Sequence, residues 1–192
     1  MGKKYSIISI IIIGLGVSFS LDTQNPIFQH IRTADPSVHL WQDGRVWLYT
    51  SHNVTKEYNE MDGYHAFFSS DLVSWADHGE ILHSRDISWG VPGFMWAPTA
   101  ACLNGKYYFS YNAKKSGGDY GMGDNPYGPF EYKGALLKDV VQDHHSIIEY
   151  KNQWYLFYHW QGWNGGGKTQ RNVTVEFLQY NEDGTIKPIH PT

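Results

Sequence analysis

Pro98-Thr99-Ala100-Ala101-Cys102-Leu103-Asn104-Gly105-Lys106-Tyr107-Tyr108-Phe109-Ser110-Tyr111 is a pair of β-prone runs set around an Asn-Gly dipeptide. Asn-Gly accepts the positive φ values of a type I′ turn, so the stretch reads as a tight hairpin with aromatic filling. The same plan occurs twice more. Upstream, Pro36-Ser37-Val38-His39-Leu40-Trp41 leads through Asp43-Gly44 into Val46-Trp47-Leu48-Tyr49. Downstream, His145-Ser146-Ile147-Ile148-Glu149-Tyr150 leads through a turn placed at Asn152-Gln153 into Trp154-Tyr155-Leu156-Phe157-Tyr158.

A second hairpin is expected after each of these. Tyr64–Phe68 runs into Ser69-Ser70-Asp71-Leu72 and Trp75, Tyr120–Gly123 into Asp124–Phe130, and Val173–Tyr180 into Asn181–Ile186. Two hairpins make four strands, and such units about 45–60 residues apart have the pattern of propeller blades. No stretch holds a helical period. The fold class expected is therefore all-β. A β-sandwich is the competing architecture, but repetition of the same aromatic hairpin favours radial assembly. Propellers use about four to eight blades, and this sequence carries about three. Three sheets alone would leave unpaired edges and an uncovered apolar face.

The rest of the composition bounds the function. Lys3 and Lys4, the apolar run Ile7–Val17 and the small residues around Ser18-Phe19-Ser20 form the pattern of a secretory signal peptide. The chain is accordingly divided into a signal peptide at 1–20 and an incomplete β-propeller domain at 21–192, and a secreted or periplasmic location is expected. Net charge is −4 without a block of like charge, which argues against nucleic-acid and membrane partners. Cys102 is the sole cysteine, so no internal disulfide supports the fold. Aromatic residues make up 16% of the chain; they can fill a sheet core, and they can stack on sugar rings.

Asp35, in Thr33-Ala34-Asp35-Pro36-Ser37, stands just before the first strand of the first blade. Inner strands of a propeller begin near its axis, so its carboxylate would enter the central pocket. Proline after it predicts an extended backbone at Asp35. Taken alone, Asp-Pro is also an ordinary strand-entry device.

Together with Met95-Trp96-Ala97-Pro98, Asn125-Pro126-Tyr127-Gly128-Pro129-Phe130, His144-His145-Ser146-Ile147-Ile148-Glu149, Arg171-Asn172-Val173-Thr174-Val175-Glu176 and Tyr180–Ile186, this motif resembles glycoside hydrolase family 43. The family's five-bladed propellers act as β-xylosidases, α-L-arabinofuranosidases and arabinanases. The resemblance implies an exported hydrolase of arabinose- or xylose-containing plant or algal polysaccharide or oligosaccharide, working by inversion. Inversion places acid and base carboxyls about 6.5–9.5 Å apart. The resemblance makes Asp35 the general base, Trp96 and Arg171 substrate-binding residues, and His144 the axial histidine. No cofactor is required, although a calcium ion could sit at the axis beside His144.

The sequence departs from the family after Tyr111. The family's second aspartate and its acid glutamate open blades that have no counterpart here, as though on the order of 100 residues were removed between Asn112 and Gly121. Asp119, Glu131 and Glu149 remain nearby, and are expected to be solvated strand or turn residues. No general acid is assigned. The Gly162–Gly167 run is expected to be a loop. A monomer is expected, because two fragments would have to join into a ring with mismatched seams. Binding of carbohydrate without turnover, or an unstable truncated product, are the alternatives to hydrolysis.

Overall fold

The computed structural model describes residues 26–53, 61–113, 117–138, 140, 144–160 and 171–191. The signal-peptide segment and the Gly162–Gly167 run lie outside them. Eleven strands form three antiparallel sheets among these residues. The first sheet holds β1 (Thr33–Leu40), β2 (Val46–Asn53), β3 (Met61–Ser69) and β4 (Ala76–His83) in chain order. The second holds β5 (Met95–Leu103), β6 (Lys106–Ala113), β7 (Gly117–Gly123) and β8 (Glu131–Leu137). The third has β9 (His145–Tyr150), β10 (Gln153–Trp160) and β11 (Asn172–Leu178).

Turn chemistry explains the hairpins, with two corrections to the sequence reading. Asn104 and Gly105 both have positive φ, 52° and 76°, and Leu103 pairs with Lys106 across them, as a two-residue type I′ turn requires. At the first hairpin only Gly44 is left-handed (φ 74°). Leu40 pairs with Val46, and the longer loop closes through Gly44 N–H donating to Trp41 O (3.0 Å). At the third, the left-handed pair is Lys151 and Asn152 (φ 52° and 61°), so the turn sits one residue earlier than Asn152-Gln153. The third blade also differs from expectation in strand number. Tyr180 and Ile186 form an isolated bridge where a fourth strand was expected.

The second sheet is central. One side packs Ala100, Phe109 and Tyr111 against Trp47, Tyr49, Tyr64 and Ala66 of the first sheet. The other packs Ala101, Tyr108, Tyr120 and Leu136 against Ile147, Leu156, Tyr158 and Leu178 of the third. Alternate residues of β6 therefore serve opposite cores, and Tyr108 through Ala113 are all buried. β5 also touches β1 and β9, so the inner strands of the three blades adjoin.

The join between β6 and β7 falls in the stretch where the sequence departs from its family. Tyr107 pairs with Gly123 and Tyr111 with Asp119, in unbroken register. Blades share one hairpin geometry, so a strand from one blade can pair with the third strand of another without a change of twist or spacing.

Candidate functional site

The site grows from two bulges at the starts of β1 and β5. The β1–β2 ladder shifts between Ala34 and Ser37, and the β5–β6 ladder between Trp96 and Thr99. Each shift contains a residue-proline step, Asp35-Pro36 or Ala97-Pro98. Asp35 is not extended: its φ is 52°, and that of Ala97 is 45°. Proline disfavours the right-handed helical region for the preceding residue, and here the bulge takes each residue to the left-handed side. Such positions cost on the order of 1–3 kcal/mol and collect at functional sites. The turn carries the Asp35 carboxylate out of its own ladder and across to the neighbouring blade.

There, Oδ2 of Asp35 accepts a hydrogen bond from Ser51 Oγ (2.7 Å) and another from Ala97 N–H (3.2 Å). Ser51 is fully buried on β2. Ala97 is held in turn by Tyr64, whose hydroxyl bonds the carbonyls of Trp96 and Asn112, each at 3.0 Å. Asp35 and Trp96-Ala97, read separately in the sequence, thus meet in one hydrogen-bonded unit spanning two blades. Trp96 is half-buried, its ring 5.2 Å from that of Phe94.

The third blade reaches this unit through a neighbouring polar link. Ser37 Oγ lies 3.5 Å from Thr99 Oγ1, Thr99 pairs with Ser110 across the β5–β6 ladder, and Ser110 Oγ shares a hydrogen bond with His145 Nε2. The inward-facing histidine is therefore His145, which is buried, and His144 beside it is exposed. The His144 ring lies 5.2 Å from that of His159. Two imidazoles do not build the oxygen cage that calcium prefers. Among the described residues no group of three or more His, Cys, Asp or Glu could hold a metal. Arg171 stands exposed just ahead of β11, at the same end as His144 but two strands out from β9.

The three carboxylates that the sequence offered after Tyr111 stand apart from Asp35. Glu131 is exposed at the start of β8. Glu149 lines a cleft with His39–Gln42, toward the opposite end of the inner strands. Asp119 corrects the expectation of a solvated residue: it is 1% exposed and accepts hydrogen bonds from Trp89 Nε1 (3.2 Å) and Tyr132 OH (3.4 Å). It sits on β7, two strands from Ala97, and serves the interior of the second blade.

Sequence reasoning missed Ser51 and His145. Ser51 was hidden by the longer first loop and the bulge: a turn at Asp43-Gly44 would set Asp35 opposite His52, whereas the observed ladder pairs Ala34 with Ser51. His145 had a signal in the alternation of β9, whose buried positions are His145 and Ile147.

Comparison with known proteins gives this arrangement its context. The family model for glycosyl hydrolases family 43 matches residues 23–143. A β-xylosidase of Xylanibacter ruminicola is 47% identical over 93 residues, covering 45% of this chain and 28% of that protein. An arabinoxylan arabinofuranohydrolase of Bacillus subtilis is 34% identical over 185 residues, covering 81% of this chain and 34% of that one. The solved structure of an α-L-arabinofuranosidase from Clostridium thermocellum superposes with a TM-score of 0.61 at 31% identity, covering 92% of this chain and 58% of the other. The chain thus spans about a third or less of the length of these two curated relatives. With the family's model matched over most of the chain and its blades recognisable in the fold, this protein belongs to glycosyl hydrolases family 43.

Proposed function

We propose that this protein binds arabinose- or xylose-containing plant or algal glycans at the end of the axis that carries Asp35. Asp35 would act there as the general base of an inverting hydrolysis. The observation that carries this reading is the carboxylate itself, turned out of β1 by a left-handed bulge and held on Oδ2 by Ser51 and Ala97. With Oδ2 so engaged, the lone pairs of Oδ1 can receive a proton from a water attacking the anomeric carbon. Trp96 supplies an indole face beside it, and Arg171 the donors for sugar hydroxyls. We also infer export to the periplasm or the medium, on the strength of Lys3, Lys4 and the Ile7–Val17 run.

The starts of β5 and β9 are Met95-Trp96-Ala97-Pro98-Thr99 and His145-Ser146-Ile147, and neither holds a carboxylate. Among the described residues there, the one group able to carry a proton is the imidazole of His145, which is buried and hydrogen-bonded to Ser110. We infer that the reaction favours substrates whose leaving group departs without a proton, such as aryl glycosides with acidic phenols. Natural polysaccharide would be bound without being cut, and this is the second reading that the same observation favours. The test is release of nitrophenol from nitrophenyl arabinofuranoside and xyloside, with binding of xylan and arabinan oligosaccharides measured in parallel. Asp35→Asn should lower the aryl rate by about 10²–10⁴-fold and leave oligosaccharide binding within a few-fold. Equal rates in the two proteins would remove Asp35 from the chemistry.

A further inference from the structure

The third blade presents an open face. One side of β9–β11 is buried against the second blade through Ile147, Leu156, Tyr158 and Leu178. The opposite side carries Ile148, Tyr150, Phe157, Val173, Val175 and Phe177, with exposures of 50%, 58%, 40%, 81%, 48% and 60%. Strand register places them together: Ile148 lies across from Tyr155, which lies across from Phe177, and Phe157 lies across from Val175. The first blade does not share this exposure throughout. Phe28 stacks on Phe67 at 3.7 Å on its outer side, and Phe67 is fully buried.

We propose that this face pairs with the same face of a second copy of this chain, as an isologous sheet-on-sheet dimer. Three properties favour that occupant. At about 150–250 Å² per aromatic side chain, the six residues present on the order of 600 Å² of apolar surface, approaching the roughly 800 Å² per partner of a stable interface. The outward residues of the three strands include no Asp, Glu, Lys or Arg, so a two-fold axis brings no like charges together and a charged partner finds nothing to pair with. Aliphatic Val173, Val175 and Ile148 break the aromatic surface, which suits interdigitation with another sheet better than stacking on a sugar chain. This dimer is not a completed ring. Each copy keeps its own three blades, and the two Asp35 sites stay independent.

Sedimentation of the full chain at micromolar concentration should give twice the 22.0 kDa chain mass. Val175→Arg should weaken that association by at least about tenfold. Should that variant lose its near-ultraviolet circular dichroism, Val173→Lys decides, because an 81% exposed side chain contributes little to the fold. A monomer at every concentration overturns the proposal. So does association that survives both substitutions, which would place the contact elsewhere, for instance in the apolar N-terminal run. Retention on insoluble polysaccharide that Val175→Arg abolishes, without a change in mass, would make the face a glycan platform and also overturn it.

Discussion

Both described hydrogen bonds to Asp35 fall on one oxygen, and they come from different blades. A carboxylate gripped on one oxygen keeps the other for water, so under the proposed role of Asp35 the geometry of the base depends on Ser51. Hydrogen bonds to charged groups contribute about 1.5–3 kcal/mol. Ser51→Ala should therefore lower the melting temperature by roughly 3–12 °C, at about 2–4 °C per kcal/mol for a chain of this size. It should also reduce the aryl-glycoside kcat with little change in KM, and Ser51→Thr, which retains a hydroxyl, should recover much of both. A fall in melting temperature with kcat intact would make Ser51 a packing residue only.

Individual strands show where sequence reasoning succeeds and where it stops. Asn104-Gly105 was legible because both residues accept positive φ, and the turn forms there. The third turn was placed one residue late because Lys151, an unusual left-handed residue, takes the first position. Asp35 was read as extended because the rule for residues before proline describes an average chain, and a bulge is an exception set by the partner strand. The histidines are a further property of elements in context. His39 on β1 stacks on Trp41 with centroids 4.8 Å apart, and its Nε2 lies 2.8 Å from Ser37 Oγ. Burial pushes its pKa down to about 4. Burial also lowers His52 and His65, only partly offset by Glu80 and Asp77, and their buried Nδ1 atoms have no hydrogen-bond partner among the described residues. The unfolded chain takes up these protons near the ordinary value of about 6.5, whereas the folded chain resists them. Stability should consequently fall as pH drops below about 6.5, with His39 contributing up to roughly 3 kcal/mol by about pH 4. Thermal melts between about pH 7.5 and 4.5 should show that loss, and His39→Gln should flatten it in part. An unchanged slope in the variant would dismiss His39 as its source.

For the molecule as a whole, the number of sheets was legible, because each hairpin is a local signal repeated along the chain. What could not be read was which blade would cover which, since that depends on faces meeting across long separations. In the structure everything converges on the second blade, and a single C-terminal strap helps fix the third blade to it. Tyr108 OH donates to Gly184 O (2.7 Å), Ile186 N–H to Tyr120 OH (2.8 Å), and Ile189 exchanges backbone bonds with Leu136 and Lys138 (2.8 and 2.9 Å). Ile186 and Ile189 are buried in the core between the two blades. Each truncation to alanine should cost about 2–5 kcal/mol, and a marginally stable domain holds only about 5–15 kcal/mol in total. The double variant Ile186→Ala/Ile189→Ala should therefore lose cooperative unfolding in the third blade first. Amide exchange should rise across Gln153–Trp160 while Val46–Asn53, two blades away, keeps its protection. Equal loss of protection in both strands would mean that the three blades unfold as one unit, and that the strap supports the whole arc and not a single joint.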